Sequence, residues 1–157
     1  MKTYKWMWWV AVFVLAWGCQ RGLAADKSEG LWLTDFEAAK TRAAELQRPI
    51  LADFSGSDWC GWCIKLDKEV FQQKEFKSFA ENKLVLFLAD FPRSVSQPQG
   101  LKQQNEMLME KYGVEGFPTI LLLDAKGRVL AQTGYQHGGA AAYVKHLEEL
   151  LANPPRK

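Results

Sequence analysis

Cysteine and histidine are both scarce in this sequence, which has three cysteines and two histidines among 157 residues. Cys19 lies near the N-terminus, so the body of the chain holds only Cys60, Cys63, His137 and His146. A structural zinc ion usually takes four nitrogen or sulfur ligands. The two histidines are nine residues apart, wider than the usual finger spacing. This small ligand supply disfavours a structural zinc site.

The chain also lacks an excess of charge of either sign, with 20 basic and 18 acidic residues. Residues 1–25 hold three of the basic residues and none of the acidic ones. Taking these three from the 20 leaves 17 basic against 18 acidic residues, a formal net charge of −1. A polyanion partner requires a basic surface, so we expect no nucleic acid partner.

Long apolar runs are missing as well, since a helix needs about 20 residues to span a bilayer. The apolar run Trp6–Trp17 follows a basic start and precedes small residues. This pattern predicts a secretory signal peptide over residues 1–25, cleaved after Ala24 or Ala25. The expected location is therefore the periplasm or cell envelope.

Two other fates of this leader stay open. One is an uncleaved membrane anchor. The other is lipidation of Cys19, because "LAWGC" loosely resembles the bacterial lipoprotein signal. Either one would bring the protein to a membrane only through its N-terminus. No repeat or low-complexity block divides the rest, which predicts one domain over residues 26–153 and a flexible tail over 154–157.

Helical periodicity marks five segments of the chain. The first follows Thr34, which together with Glu37 has the pattern of a capping box, and it ends before Pro49. The second starts at Cys60. The other three cover residues 74–83, 101–113 and 138–152.

Four short apolar segments predict buried strands: Ile50–Phe54, Leu84–Asp90, Thr119–Asp124 and residues 128–134. The turn "DAKG" joins the last two into a hairpin. Strands alternate with helices at first and then pair directly. The order predicts an α/β fold with a central mixed β-sheet flanked by helices on both faces.

The stretch "DWCGWC" places Cys60 where a loop ends and a helix begins. Free backbone N–H groups and the helix dipole favour an anion there, so the pKa of this thiol should fall below about 8.5. Cys63 lies one helical turn later, close enough to attack a mixed disulfide. The spacing predicts a redox pair with Cys60 as nucleophile and Cys63 as resolving cysteine.

Other interpretations of the pair stay open. A purely structural disulfide between residues three apart closes a tiny loop and constrains the unfolded chain little. A Cys–His hydrolase would need a supporting pattern that the sequence does not show. A thiolate pair also suits a soft metal such as Cu(I), and a redox-inert interaction domain is a further alternative.

Together, "DWCGWC" after an apolar strand and "GFPT" before a later strand resemble the thioredoxin superfamily. More narrowly, "SGSDWCGWCIKLDKEVF", "DFPR" and "GYQHGG" are similar to exported bacterial thioredoxin-like proteins. These are related to the C-terminal domain of DsbD-type thiol:disulfide interchange proteins. The resemblance covers roughly residues 31–151 and implies a thioredoxin-like fold.

The resemblance also implies roles for several residues. Pro118 would be a cis proline facing the cysteines, and the backbone of Phe117, before Thr119, would bind an extended substrate strand. Asp53 would be the buried acid that assists proton transfer to Cys63. It lies seven residues before Cys60, one more than in thioredoxin, and the lysine that accompanies this acid there is missing, with Leu86 roughly in its place.

The residues around the cysteines complete the predicted site. The spacer is Gly61-Trp62 instead of the Gly-Pro of thioredoxin, which leaves the redox direction open. Trp59 is expected to pack beside the active site, and Trp62 to be an exposed docking residue. We therefore predict an exported thiol:disulfide oxidoreductase without a cofactor, acting on cysteine-containing proteins and a redox partner protein. Reduction or isomerisation is favoured over oxidation.

Overall fold

The computed structural model describes residues 30–153, which form five strands and five helices. The strands are β1 (Trp32–Leu33), β2 (Ile50–Ser55), β3 (Val85–Asp90), β4 (Thr119–Leu123) and β5 (Val129–Thr133). The helices are α1 (Phe36–Leu46), α2 (Gly61–Leu66), α3 (Lys74–Lys83), α4 (Gln99–Tyr112) and α5 (Gly139–Ala152). Within these residues, no helix has the length and apolar character needed to cross a membrane. The predicted leader with Cys19 and the predicted tail lie outside the described residues.

The five strands form one mixed sheet in the order β1-β3-β2-β4-β5. β2 is central, with β3 parallel on one side and β4 antiparallel on the other. β4 and β5 form an antiparallel hairpin. The predicted α/β architecture is therefore confirmed, and the cysteine segment leaves from the end of the central strand.

Each face of the sheet carries its own apolar core, because side chains alternate along a strand. Leu51 of β2 packs in the core under α2, α3 and α5, together with Leu66 and Tyr143. Ala52 and Phe54 of the same strand pack in the core under α1 and α4. Helices thus cover both faces, and β2 is buried along its whole length, as the mostly apolar run Ile50–Phe54 predicts.

The structure differs from the sequence analysis at three local points. The N-cap of α1 is Asp35 instead of Thr34, and its carboxylate accepts a hydrogen bond from the backbone N–H of Ala38 at 2.9 Å. Strand β1 was not predicted, because two residues are too few to show a period of two. The helical segment after Cys60 is not α-helical throughout, because α2 continues into a π-helical turn, Asp67–Phe71.

Other boundaries are close to the prediction. The bounds of α3 match, and α4 ends at Gly113 in the left-handed conformation (φ 62°) that glycine adopts without penalty. α4 begins two residues earlier than predicted, at Gln99. Strands β2 and β3 shift by one residue at one end, which is the usual uncertainty of element boundaries.

Candidate active site

The two cysteines form a disulfide at the start of α2. Their sulfur atoms are bonded at 2.11 Å, and their Cα atoms are 5.2 Å apart. Cys60 is the N-cap residue of α2, and its Sγ accepts a hydrogen bond from the backbone N–H of Cys63 at 3.2 Å. Both residues are buried. The Cys60 sulfur therefore lies at the N-terminus of a helix, where unpaired N–H groups stabilise negative charge.

The loop between β2 and Cys60 is held in place by contacts with the end of β3. The Ser57 backbone N–H and hydroxyl both donate to the Asp90 carboxylate, at 2.9 and 2.6 Å. The Asp58 carboxylate accepts from the backbone N–H groups of Arg93 and Ser94. These bonds lower the pKa of Asp58, so it remains ionised at neutral pH. The cysteines thus follow a loop anchored at several points.

Trp59, directly before Cys60, packs against this anchored loop. Its ring Nε1–H donates to the carbonyl of Phe91 at 2.8 Å, and the Arg93 guanidinium lies 3.6 Å from the ring centre. On the other side is Gly56, where a Cβ atom would lie only 2.5 Å from the indole. Trp59 still exposes 36% of its surface. Trp59 therefore packs against the loop that precedes Cys60 and remains partly exposed to solvent.

The loop before β4 contacts the same tryptophan. The Phe117–Pro118 peptide bond is cis, as expected. The Phe117 ring packs edge-on against Trp59 with centroids 5.9 Å apart. Thr119 begins β4, and its hydroxyl donates to the carbonyl of Gly116 at 2.7 Å, which closes the loop. The fold therefore brings the "GFPT" motif to the "DWCGWC" motif, although 58 residues separate Trp59 from Phe117 in the sequence.

Asp53 is buried in the middle of β2. It shares the sheet face of Leu51, under α2 and α5, because strand side chains alternate. Its Oδ1 has no hydrogen-bond partner in the structure. Burial, and to a smaller extent the charges of Asp67 and Asp90, raise its pKa to about 8. A carboxyl group that can exchange a proton near neutral pH thus lies beneath the helix that carries Cys63.

The position opposite Asp53 on β3 differs from the expectation. The parallel register pairs Asp53 with Leu88, whereas Leu86 pairs with Leu51. The sequence analysis placed Leu86 roughly where thioredoxin has a lysine beside the acid. The strand register places Leu88 opposite Asp53 instead. Both leucines lie on the face of the sheet that carries Asp53, again because side chains alternate.

Trp62, in the spacer, is exposed over 54% of its surface, as predicted. Its ring contacts Tyr135 with centroids 5.1 Å apart, and the Lys65 ammonium lies 5.1 Å from both ring centres. The Tyr135 hydroxyl donates to Glu69 at 2.6 Å, which raises the pKa of the phenol. The sequence analysis missed this group, because Tyr135 lies 73 residues after Trp62 and no local pattern relates the two.

Gly61 completes the spacer and has open space around its Cα, so a Cβ would meet nothing within 4 Å. Arg93 and Phe91 were also missed as site residues, although they belong to the "DFPR" stretch used for the resemblance. Within residues 30–153, no group of three or more His, Cys, Asp or Glu side chains is placed to hold a metal ion. His146 instead contacts the Thr133 hydroxyl through Nε2 at 2.8 Å.

Comparison with known proteins places this geometry in a family. Residues 36–151 match the Thioredoxin-like domain family. The chain is 43% identical over 104 residues to the "Disulfide bond reductase DsbH" of Chlamydia pneumoniae, covering 66% of this chain and 63% of that protein. It is 28% identical over 108 residues to the "Thiol:disulfide interchange protein DsbD" of Yersinia pestis (strain Pestoides F), covering 67% of this chain but only 16% of that protein.

A solved structure titled "DsbH Oxidoreductase" superimposes with a TM-score of 0.74 at 39% identity, covering 77% of this chain and 83% of that one. The chain thus spans less than two thirds of either curated relative. The family match includes the cysteine pair, the cis-proline loop and all the strands except β1. The resemblance drawn from the sequence is confirmed: this chain belongs to the thioredoxin-like domain family.

Proposed function

We propose that this protein is an exported thiol:disulfide oxidoreductase, which exchanges the Cys60–Cys63 pair with cysteines of protein substrates. The observation that carries the proposal is the Cys60 sulfur at a helix N-terminus, bonded to a second cysteine one turn later. A disulfide that only stabilised the fold would gain little from so short a loop. The contacts of Trp59 with the cis-proline loop add a surface next to the sulfurs.

In the reducing direction, the reaction begins with Cys60 as a thiolate. Its sulfur attacks one sulfur of a substrate disulfide, so a Cys60–substrate bond forms and the substrate disulfide breaks. The departing substrate sulfur takes up a proton. The backbone N–H of Cys63 lies 3.2 Å from the Cys60 sulfur, and a donor in this position stabilises a thiolate.

The second step requires Cys63 to lose its proton. Asp53, whose pKa is about 8, can accept it when ionised, and the pKa values of the two groups are well matched because a free thiol has a pKa of about 8.5. The Cys63 sulfur then attacks Cys60, the Cys60–Cys63 bond forms and the mixed disulfide breaks. The second substrate sulfur leaves as a thiolate and takes up a proton. The substrate has gained two electrons from the pair and two protons, whereas the pair has given up two electrons and the Cys63 proton; the remaining proton comes from water.

Reduction is the direction we favour. The relative with 43% identity is named a disulfide bond reductase, and an oxidising compartment requires help mainly in removing wrong disulfides. The reduction potential measures this directly, by equilibrating the domain with glutathione and counting free thiols by mass. A value near −270 mV, as in thioredoxin, would support a reductase, and a value near −120 mV, as in DsbA, would contradict it.

Single-cysteine variants test the assigned roles. The reduced Cys63→Ala variant, mixed with a substrate protein that contains a disulfide, should accumulate a mixed disulfide, because no second cysteine resolves the bond to Cys60. Cys60→Ala is the matched control and should accumulate none. Equal trapping by both variants would contradict the assignment. A reduced pair that takes up one Cu(I) per chain but never reduces a disulfide would contradict the oxidoreductase itself and favour a metal-binding module.

Export rests on the leader pattern of residues 1–25. The intact mass of the protein recovered from the cell envelope of a bacterial host tests it. A mass starting at residue 25 or 26 indicates cleavage, a diacylglycerol-sized increment on Cys19 indicates lipidation, and the full-length mass indicates an anchor. Recovery of the full-length chain only from the cytoplasm would contradict export.

A further inference from the structure

A second aromatic group lies beside the cysteines, apart from Trp59. It consists of the Trp62 and Tyr135 rings, 5.1 Å apart, with Lys65 and Glu69 around them. We call these four residues the aromatic platform. Trp62 comes from the spacer between the cysteines, whereas Tyr135 follows β5. Two separate elements therefore build one surface.

The platform is held in one arrangement by polar contacts. The Lys65 ammonium lies 5.1 Å from both ring centres, within the range of cation–π attraction. The Tyr135 hydroxyl donates to Glu69 at 2.6 Å, and the Glu69 carboxylate lies 3.9 Å from the Lys65 ammonium. The two charges offset each other, so the platform presents its apolar rings without a net charge.

The position of the platform follows from the order of strands. Cys60 and Cys63 follow β2, in the centre of the sheet. Trp59 contacts Phe91 and Arg93, which follow the end of β3. Tyr135 follows β5. β3 and β5 lie on opposite sides of β2. The cysteines thus lie between two aromatic groups, and a substrate joined to Cys60 has the platform on one side.

Exposure separates the platform from ordinary core packing. Trp62 exposes 54% of its surface, and Ile64, two residues later, exposes 47%. Among the described residues, six large apolar side chains are at least 36% exposed, and three of these six lie between Trp59 and Ile64. Tyr135 is half-buried and packs against the core of that sheet face, so it supports the exposed Trp62 ring. Trp and Tyr rings at a partly exposed surface are typical of the residues that dominate binding energy at interfaces.

We propose that the aromatic platform is a specificity site of the exchange reaction, which selects protein substrates carrying a bulky apolar side chain next to the reacting cysteine. This inference rests on the proposed oxidoreductase function. The occupant is a substrate polypeptide because the platform is continuous with the cysteine spacer. Its flanking side chain is apolar because Lys65 is already balanced by Glu69.

Two peptides test the proposal. Each contains one cysteine in a mixed disulfide with glutathione, flanked by leucine and tryptophan in one peptide and by serine and glycine in the other. The readout is the ratio of kcat/KM for the apolar peptide to kcat/KM for the polar one. We expect the wild-type protein to prefer the apolar peptide by about three- to tenfold, the range of one aromatic contact.

Variants of Tyr135 test whether the platform causes the preference for the apolar peptide. Tyr135→Ala removes a ring of the platform and should bring the ratio close to one. Tyr135→Phe keeps the ring and should keep most of the preference. Met107→Ala, on α4, is the matched control, because Met107 is also an exposed apolar side chain (64%) but lies outside the platform. It should leave the ratio as in the wild type.

The ratio is measured within one variant, so an unfolded fraction or an altered potential affects both peptides equally. A wild-type ratio near one would overturn the specificity site but leave the exchange reaction intact. A ratio that Tyr135→Ala leaves unchanged would do the same. If the wild type reduces neither peptide, the proposed function fails, and the specificity site fails with it.

Discussion

Replacing Asp53 by asparagine should make the fold more stable at high pH and remove part of its pH dependence. Asp53 is buried, only 6% exposed, and its Oδ1 has no hydrogen-bond partner. Burial, with Asp67 and Asp90 nearby, raises its pKa to about 8. An ionised carboxylate is therefore unfavourable in the folded protein, whereas in the unfolded chain it is freely hydrated.

The sign of the effect follows from proton binding. Between the unfolded pKa of 3.8 and the folded pKa of about 8, the folded state holds the Asp53 proton and the unfolded state has lost it. The free energy of unfolding therefore falls as pH rises through this window, by at most about 1.4 kcal/mol per pH unit. From pH 5 to pH 8, the loss due to Asp53 amounts to about 3 to 4 kcal/mol.

Urea unfolding of the oxidised domain at pH 5, 6, 7 and 8, followed by tryptophan fluorescence, measures this directly. The difference in unfolding free energy between Asp53→Asn and the wild type should grow steadily with pH. At pH 5 the gain is small, since the asparagine amide is itself buried and incompletely bonded, at a cost of about 1–3 kcal/mol. Asp58→Asn is the matched control. Hydrogen bonds lower the pKa of Asp58, so the stability that this carboxylate contributes is lost as pH falls, which is the opposite pH dependence. Parallel pH curves for Asp53→Asn and the wild type would refute the reasoning.

Three further predictions concern the parts of the fold that hold the site. Asp35→Ala should lower the unfolding free energy by about 1 kcal/mol, because it removes the N-cap hydrogen bond of α1. Thr34→Ala should change this free energy little. Equal losses for the two variants in urea unfolding would contradict the assignment of the cap. Gly56→Ala should displace the Trp59 ring, since the new Cβ would lie 2.5 Å from it, at about 1–3 kcal/mol and with a changed emission spectrum of the oxidised protein. An unaltered spectrum would count against the packing. Asn105→Ala should cost about 1–3 kcal/mol in thermal unfolding, because its buried amide donates to the last carbonyl of β3 at 2.9 Å; a shift within the error of the wild type would contradict the role of that bond.

The order of the main elements followed from local patterns alone. The strands β2 and β4 are mostly apolar, and runs of this kind indicate burial on both faces. The bounds of α3 and the glycine that ends α4 were equally readable. The two-residue β1 was not, since only its pairing with β3 makes it a strand. The N-cap of α1 was displaced by one residue, because Thr34 and Asp35 both have side chains suited to capping.

The candidate site likewise has parts that the sequence predicts and parts that only the fold brings together. Cys60 and Cys63 are close in sequence, so their spacing already determined that they could form a disulfide at a helix start. The "GFPT" motif was recognisable by its residues, but only the fold brings Phe117 against Trp59.

The protonation of Asp53 and the aromatic platform were decided by tertiary structure alone. The pKa of a carboxyl group depends on the water and charge around it, and those around Asp53 are set by packing between β2 and the helices above it. Trp62 and Tyr135 are 73 residues apart, and no local pattern relates them. The sequence by itself determined the cysteine pair and the type of fold, because both depend on neighbouring residues. What surrounds that pair was decided only when distant segments packed together, because burial and ring contacts exist only between them.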